Sequence, residues 1–183
     1  MNLPRDIVVL IGSLRKESFT RKLAKAVLGL MPETMKGTIV EIGDLPFYNQ
    51  DDEPNPPAQW VAFRDRIRKC DGVLFFTPEY NRSVPGVLKN AIEVGSRPPG
   101  KSAWDGKPAA IVSASPGTMG GFGANHHLRQ SLVALNVPTL AAPEAYIGGV
   151  AKLFDESGKL INDDTRALLQ KFVTAYAALV ERH

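Results

Sequence analysis

A short, wholly apolar segment near the N-terminus places the strongest constraint on the fold. Residues Ile7–Ile11 are all aliphatic, four of the five are β-branched, and Gly12 ends the segment. A strand without polar alternation is covered on both faces, which is typical of the centre of a parallel sheet. Parallel strands are joined by long crossover connections, usually helices. The segment therefore predicts a layered α/β fold.

The loop after this strand carries groups that bind anions. Three hydroxyls and a guanidinium occur along it: Ser13, Arg15, Ser18 and Thr20. Ser18 also stands at a helix N-cap position, ahead of apolar residues at helical spacing. The free N–H groups of that helix and its dipole then point toward the loop. The segment predicts a phosphate pocket, although an ordinary surface turn has a similar composition.

The absence of certain glycine motifs from this loop indicates which kind of phosphate group it can bind. The loop contains neither the G-x-G-x-x-G pattern of dinucleotide sites nor a Walker loop. A buried pyrophosphate needs the close backbone approach that such glycines allow. Hydroxyl groups with one arginine suit a terminal phosphate ester better. The loop thus favours a mononucleotide such as FMN.

Length and composition favour one domain spanning residues 1–183. A chain of this length buries about 70% of its unfolded surface without metals or disulfides. Its 22 basic and 19 acidic residues give a net charge of +3, which does not indicate a nucleic-acid partner. Cys70 is the single cysteine and is predicted to be buried, which is typical of a reducing cytoplasm. We also expect no membrane partner, because the chain has no run of ~18 apolar residues.

The remaining chain alternates between strand and helix patterns. The predicted strands are Ile7–Ile11, Thr38–Ile42, Gly72–Thr77, Ala109–Ala114 and Thr139–Ile147. The predicted helices begin after Ser18, cover Ala58–Lys69, Pro85–Val94 and Ala124–Leu135, and end with one capped by Asp163 or Asp164. In the second helix Val61 is expected to pack inward and Arg64 to point outward. The alternation predicts a three-layer sandwich with a five-stranded parallel sheet in the order 2-1-3-4-5.

Two more loops then fall at the same end of the sheet as the phosphate loop. Pro78, Tyr80 and Asn81 offer a rigid turn, a flat aromatic ring and a carboxamide, which suit a planar heterocycle, although a plain turn has the same residues. The loop after the fourth strand contains glycines at 117, 120, 121 and 123, so backbone N–H groups can approach a flat ring. Ligands of open α/β sheets bind at this end.

A formal Walker match elsewhere does not fit its required context. Gly95–Ser102 satisfies the pattern, but it follows a helix rather than a strand. Its two prolines remove N–H groups that a phosphate cradle needs. We therefore do not assign an ATP site to this segment.

With these residues placed, the chain resembles the NADPH-dependent FMN reductase family, a flavodoxin-like group that includes bacterial quinone and chromate reductases. The matching segments are Gly12–Arg21, Thr77–Ala91, Ser115–Gly117 and Gly120–Gly121. The resemblance covers nearly the whole chain. It implies an NAD(P)H-dependent oxidoreductase that transfers hydride from NADPH or NADH to FMN. The electrons then pass to a small-molecule acceptor such as a quinone, free flavin or chromate, and the family implies a homodimer or homotetramer.

The resemblance also implies roles for particular residues. The FMN phosphate would be held by Ser13, Arg15, Ser18, Thr20 and Arg21. The isoalloxazine ring would be lined by Pro78, Glu79, Tyr80 and Asn81, and its other edge by Ser115 and Gly117. Glu79 is expected to point away from the ring or to contact backbone. No side chain is expected to act in catalysis by itself, because the cofactor carries the chemistry.

Three positions depart from the family pattern. Thr20 replaces the usual Asn, and its hydroxyl keeps the expected phosphate contact. Gly123 and Asn125 replace an Arg and a Gln, so any contact made by that Arg is missing here. Two other classes of protein stay open: a nonenzymatic electron carrier of flavodoxin type, and a basic nucleic-acid-binding or other binding module. The first would show no turnover with NADPH, and the second would be colourless.

Overall fold

A five-stranded parallel sheet forms the centre of the fold. The computed structural model describes residues 3–183. The strands are β1 Arg5–Ile11, β2 Met35–Val40, β3 Gly72–Pro78, β4 Ala109–Ala114 and β5 Ala145–Ile147. They pair in the order β2-β1-β3-β4-β5, and every pairing is parallel. The predicted sheet and strand order are confirmed.

Helices cover both faces of the sheet. They are α1 Phe19–Leu28, α2 Ala58–Lys69, α3 Gly86–Gly95, α4 Phe122–Ala134 and α5 Asp163–Glu181. Helices α1 and α5 share one apolar cluster with the sheet, and α2, α3 and α4 share the other. Along β1, Val9 belongs to the first cluster and Val8 and Leu10 to the second, and all three are fully buried. Burying such a side chain contributes about 1.5–3 kcal/mol, so β1 stabilises both layers.

Strand β2 begins and ends earlier than its residue pattern indicated. The predicted segment, Thr38–Ile42, begins three residues too late and ends two residues too late, because β2 covers Met35–Val40 and pairs with β1 from Arg5↔Met35 to Leu10↔Val40. Ile42 follows the strand and is nevertheless 1% exposed, in the cluster formed by α2 and α3. Because Ile42 is an apolar loop residue that happens to be buried, it extended the alternation of apolar and polar residues beyond the end of the strand.

Strand β5 is much shorter than predicted. The range Thr139–Ile147 contains only three paired strand residues, Ala145–Ile147, together with an isolated parallel bridge from Thr139 to Ala109. Pro143 interrupts the segment between them, and proline supplies no N–H donor to a ladder. The edge of the sheet is therefore formed by two separated contacts rather than one long strand.

Helix α2 is rotated relative to the prediction. Val61 is exposed, whereas Arg64 is 5% exposed and donates from Nε to Val94 O (2.8 Å). Its guanidinium also lies over the Trp60 ring at 5.3 Å. The carbonyl groups at the end of α3 need donors, and Arg64 provides one. Burial lowers the pKa of Arg64.

Several smaller expectations have clear outcomes. Cys70 is buried as predicted. Asn162, rather than Asp163 or Asp164, caps α5 by accepting a hydrogen bond from Thr165 N–H (2.8 Å). The Walker-like segment follows α3, and no helix begins at Ser102. Among residues 3–183, no helix is both long and apolar enough to cross a bilayer.

Candidate functional site

The loops after β1, β3 and β4 meet at one cleft beyond the carboxyl ends of the strands. The cleft has a volume of about 110 Å³. The predicted site residues that line it are Ser13, Arg15, Ser18, Thr20, Pro78, Glu79, Tyr80 and Ser115. Arg21, Asn81 and Gly117 are not among its lining residues. Parallel strands bring these loops together because their carboxyl ends share one edge of the sheet.

The start of α1 gives the cleft its anion-binding character. Ser18 caps the helix, and its Oγ accepts a hydrogen bond from Arg21 N–H at 3.3 Å. The same Oγ lies 2.7 Å from Thr20 Oγ1, and both residues are buried. The first helical hydrogen bond runs from Lys22 N–H to Ser18 O, so the N–H groups of residues 19 and 20 precede it. Free N–H groups and buried hydroxyls at a helix N-terminus favour a bound anion.

The two arginines of this segment have different environments. Arg15 is exposed and forms no hydrogen bond or ion pair with any residue in the range 3–183. Arg21 instead makes two hydrogen bonds of 2.8 Å to the Glu41 carboxylate. This pairing raises the pKa of Arg21 and lowers that of Glu41, with hydrogen bonding as the main cause in each case. Arg15 is therefore the guanidinium available to a ligand in the cleft.

The segment after β3 forms a tight hairpin with a two-residue turn. Tyr80 and Ser83 exchange both backbone hydrogen bonds, at 3.1 and 3.0 Å. Asn81 and Arg82 have φ values of 51° and 65°, as the two central residues of a type I′ turn require. Asn at the first central position was a signal for this turn, since Asn tolerates positive φ. The turn places the Tyr80 ring at the cleft.

Glu79 joins this hairpin to α4. Its Oε2 accepts a hydrogen bond from Ala124 N–H (3.1 Å), and its Oε1 pairs with Arg82 (2.9 Å). The carboxylate thus contacts backbone, as predicted, and it neutralises the N-terminal end of the α4 dipole. A Cβ at Gly123 would lie 2.9 Å from Arg82 O and 3.0 Å from Glu79 Oε2. The departure at this position therefore lets α4 pack directly on the hairpin.

The loop after β4 is held by the backbone of β5 and the segment that follows. Ser115 N–H donates to Ile147 O (3.0 Å), and Gly149 N–H donates to Gly117 O (3.1 Å). Gly120 has a φ of 59°, and a Cβ there would lie 2.5 Å from the carbonyl carbon of Tyr146. The glycine at 120 is thus required by close packing against β5. This requirement was not visible in the sequence, which indicated only an approach to a ligand.

An aromatic cluster that the residue pattern did not indicate lies behind this loop. His126 Nε2 lies 3.0 Å from Tyr146 Oη, and Phe122 packs against both rings. Burial, together with the Glu144 carboxylate, raises the pKa of Tyr146 to about 12. The cluster combines one strand residue with one face of α4, so only the fold brings its members together.

Comparison with known proteins identifies the family. The model of the NADPH-dependent FMN reductase family matches residues 5–152 of this chain. The chain belongs to this family. Membership confirms the predicted resemblance, the oxidoreductase class, and FMN with a nicotinamide donor as the family's cofactors.

Individual members of the family align over almost the whole chain. A quinone reductase of Pseudomonas putida is 61% identical over 177 residues, covering 96% of this chain and 95% of the relative. A 2-hydroxy-1,4-benzoquinone reductase of Burkholderia is 44% identical over 174 residues, covering 95% of each. The structure also matches that of FerB, a flavoenzyme NAD(P)H:(acceptor) oxidoreductase of Paracoccus denitrificans. The TM-score is 0.92 at 39% identity, with 98% of each chain covered.

Proposed function

We propose that this chain is an FMN-containing oxidoreductase that uses NADPH or NADH to reduce quinones. The observation that carries the proposal is the cleft itself, where buried hydroxyls at the N-terminus of α1 meet the Tyr80 hairpin and the loop after β4. Family membership and the relatives named quinone reductases support the same activity.

The residues of the cleft fit the phosphate end of FMN. Ser13, Ser18 and Thr20 are buried hydroxyls. Because Ser18 and Thr20 share one hydrogen bond, one of these two O–H groups and that of Ser13 are left to donate to phosphate oxygens. Arg15 is unpaired within residues 3–183 and can add a charge-assisted hydrogen bond. The cleft, with a volume of about 110 Å³, matches the phosphate end rather than all of FMN, and the flat ring would lie at its open rim. Pro78 and Tyr80 form one side of that rim.

The other predicted residues hold the loops around the cleft in position. The Asn81 turn fixes the direction of Tyr80, while Glu79 holds the turn against α4. On the opposite loop, Ser115 N–H, Ser115 O and Gly117 O are hydrogen-bonded to residues 147–150, which keeps the loop in place and leaves the Gly117 N–H for the ring. Arg21 is paired with Glu41, so its proposed phosphate contact would require it to exchange partners. These two loops would orient the ring between them.

When bound, FMN supplies the two-electron redox chemistry between donor and acceptor. In the overall reaction NAD(P)H, a proton and a quinone give NAD(P)⁺ and a hydroquinone. The nicotinamide gives up a hydride, and the quinone gains two electrons and two protons, the second proton coming from solvent. No side chain of the cleft is assigned a proton transfer.

The direct test is purification followed by spectroscopy and turnover. We expect visible flavin absorbance that remains after gel filtration, and oxidation of NADPH or NADH when 1,4-benzoquinone is added. Free flavin and chromate serve as alternative acceptors in the same assay. A colourless protein that binds no added FMN would contradict the proposal.

The same assay separates the enzyme from an electron carrier. Flavodoxins share this fold, so the fold alone does not decide between the two classes. A carrier would hold FMN but would not oxidise NADPH without a separate reductase. Rapid bleaching of the bound flavin by NADPH would exclude that role.

We also propose a homodimer or a dimer of dimers, located in the cytoplasm. Large apolar side chains remain exposed on the loop after β4 and along α4, namely Met119, Phe122 and Val133. Exposed apolar patches of this kind mark interaction surfaces. A single buried cysteine suits a reducing compartment. Light scattering that gives the mass of one chain, 19.9 kDa, with turnover intact would contradict the assembly.

A further inference from the structure

A second cavity lies beside the cleft and shares two of its walls. Arg15 and Tyr80 line both spaces. The second cavity has a volume of about 470 Å³, and its other lining residues are Gly12, Leu14, Pro85, Gly86 and Val87. It therefore extends from the end of β1 to the first turn of α3. None of the residues beyond Arg15 and Tyr80 belongs to the predicted phosphate or ring contacts.

The lining of this cavity has a distinctive chemical composition. Leu14, Pro85 and Val87 give it aliphatic walls, and Leu14 is 58% exposed although it is large and apolar. Arg15 is the only charged side chain among the lining residues and is unpaired within residues 3–183. The first hydrogen bond of α3 runs from Leu88 N–H to Pro85 O, so the N–H groups of Gly86 and Val87 precede it.

Such a lining suits a flat apolar ring that carries carbonyl oxygens. A quinone presents hydrophobic faces to aliphatic walls and accepts hydrogen bonds at its oxygens. As it is reduced, negative charge develops on those oxygens, and the positive charge of Arg15 favours it. A phosphate or a nucleotide would need more than one cation or several hydroxyls. The cavity also borders Tyr80, which lies on the rim assigned to the flavin ring, and an acceptor site must lie beside that ring.

We propose that this cavity is the binding site for the quinone acceptor, with Arg15 directed to a quinone oxygen and Leu14, Pro85 and Val87 against the ring. The proposal rests on the function proposed above and names the place where its acceptor binds. Arg15 then contacts both ligands, whereas Gly86 contacts only the acceptor.

Gly86 allows the cavity to be narrowed without disturbing its frame. A Cβ at Gly86 would meet no atom within 4 Å, and its φ is not positive. The residue is the first of α3, where alanine or leucine favours the helix more than glycine does. By contrast, a Cβ at Gly12 would meet Leu88, Pro78 and Pro85 at 3.2–3.4 Å. Gly86 is therefore the better position to test.

The experiment compares Gly86→Ala and Gly86→Leu with the wild type. The acceptors are 1,4-benzoquinone and the larger 1,4-naphthoquinone, and binding of the product 1,4-hydroquinone to the oxidised holoprotein is measured by calorimetry. We expect Gly86→Leu to raise KM for naphthoquinone and Kd for hydroquinone by about tenfold or more. Gly86→Ala should have a smaller effect, and the affinity for FMN should not change. Gly29→Leu, at the end of α1 and with ordinary backbone angles, is the matched control.

The possible results distinguish a failure of the proposed function from a failure of the cavity assignment. If the wild type reduces neither quinone, the proposed function fails and the cavity assignment fails with it. If the wild type reduces both but Gly86→Leu keeps its KM and its hydroquinone affinity, only the cavity assignment is wrong. A lower affinity for FMN in Gly86→Leu would show that the cavity belongs to the cofactor, which also overturns the proposal.

Discussion

The loops after β1 and β4 both border the cleft, but the first contributes mainly side chains to it and the second mainly backbone. The first contributes side chains: hydroxyls at the N-terminus of α1 and the exposed Arg15. The second contributes backbone and is held by hydrogen bonds to residues 147–150. The first loop can therefore lose a side chain and keep its shape, whereas the second cannot gain a side chain at Gly120 without losing its shape. Substitutions in the two loops should affect different measurements, affinity in the first and folding in the second.

The largest effect is expected at Gly120. Replacing it with Ala places a Cβ 2.5 Å from Tyr146 C and 2.7 Å from Ile147 N, at a φ of 59°. Backbone strain and overpacking together should lower the free energy of unfolding by about 3 kcal/mol, as measured by urea denaturation.

Gly117→Ala is the control within the same loop. Its Cβ would come no closer than 3.9 Å to a neighbouring atom, and its φ is not positive. The free energy of unfolding should stay within about 0.5 kcal/mol of the wild type. Equal losses in the two variants would show that close packing against β5 does not shape the loop.

Arg15→Ala should change the affinity for FMN rather than the stability of the fold. Loss of a charge-assisted hydrogen bond should weaken FMN by about 1.5–3 kcal/mol, or roughly tenfold to more than a hundredfold. Stability should be unchanged, because Arg15 has no partner within residues 3–183. Titration of the apoprotein with FMN and urea denaturation measure the two quantities.

Two neighbouring cations serve as controls for Arg15. Lys16→Ala removes an exposed charge from the same loop, and Arg21→Ala removes a guanidinium that is already paired with Glu41. Both should weaken FMN less than Arg15→Ala does. If Arg21→Ala had the largest effect, Arg21 would have to leave Glu41 for the phosphate, as the family resemblance implied.

Ser18 contributes both to the stability of α1 and to the proposed binding of FMN. Two substitutions separate these contributions. Ser18→Ala removes the N-cap of α1 and should lower stability by about 1 kcal/mol. Ser18→Asp keeps a good cap but adds a negative charge in the cleft, so stability should be retained while FMN binding is lost. Unchanged FMN affinity in Ser18→Asp would place the phosphate elsewhere.

The contrast between the loops also explains what the sequence could predict. Ser18, Thr20 and the β1 strand act through neighbours in sequence, so their pattern alone indicated an N-cap and an anion site. The requirement for Gly120 depends on Tyr146, and the burial of Arg64 depends on Val94. Such long-range contacts leave no local signal. Ile42 misled the strand prediction for the same reason, since a loop residue can be buried by helices from a distant part of the chain.

The smallest expected effect concerns Tyr146, which supports the glycine-rich loop from behind. Burial and Glu144 disfavour its phenolate, so its pKa is about 12 in the folded protein. In the unfolded chain the phenol has its ordinary pKa of about 10. As pH rises, the unfolded chain therefore loses this proton first. The stability contributed by Tyr146 is complete below pH of about 10 and falls progressively up to pH of about 12.

Tyr146→Phe tests this part of the pH dependence. The variant should lose less stability than the wild type when the pH rises from about 9 to about 11, as measured by urea denaturation at each pH. Tyr176, whose pKa burial raises well above its ordinary value, keeps its contribution in both proteins, so the variant's curve will still fall. At neutral pH the loss of the contact with His126 should cost about 1 kcal/mol or less, because the pair is partly exposed. Parallel curves for the two proteins would mean that the Tyr146 phenol is open to solvent, and that the glycine-rich loop is held by its backbone hydrogen bonds alone.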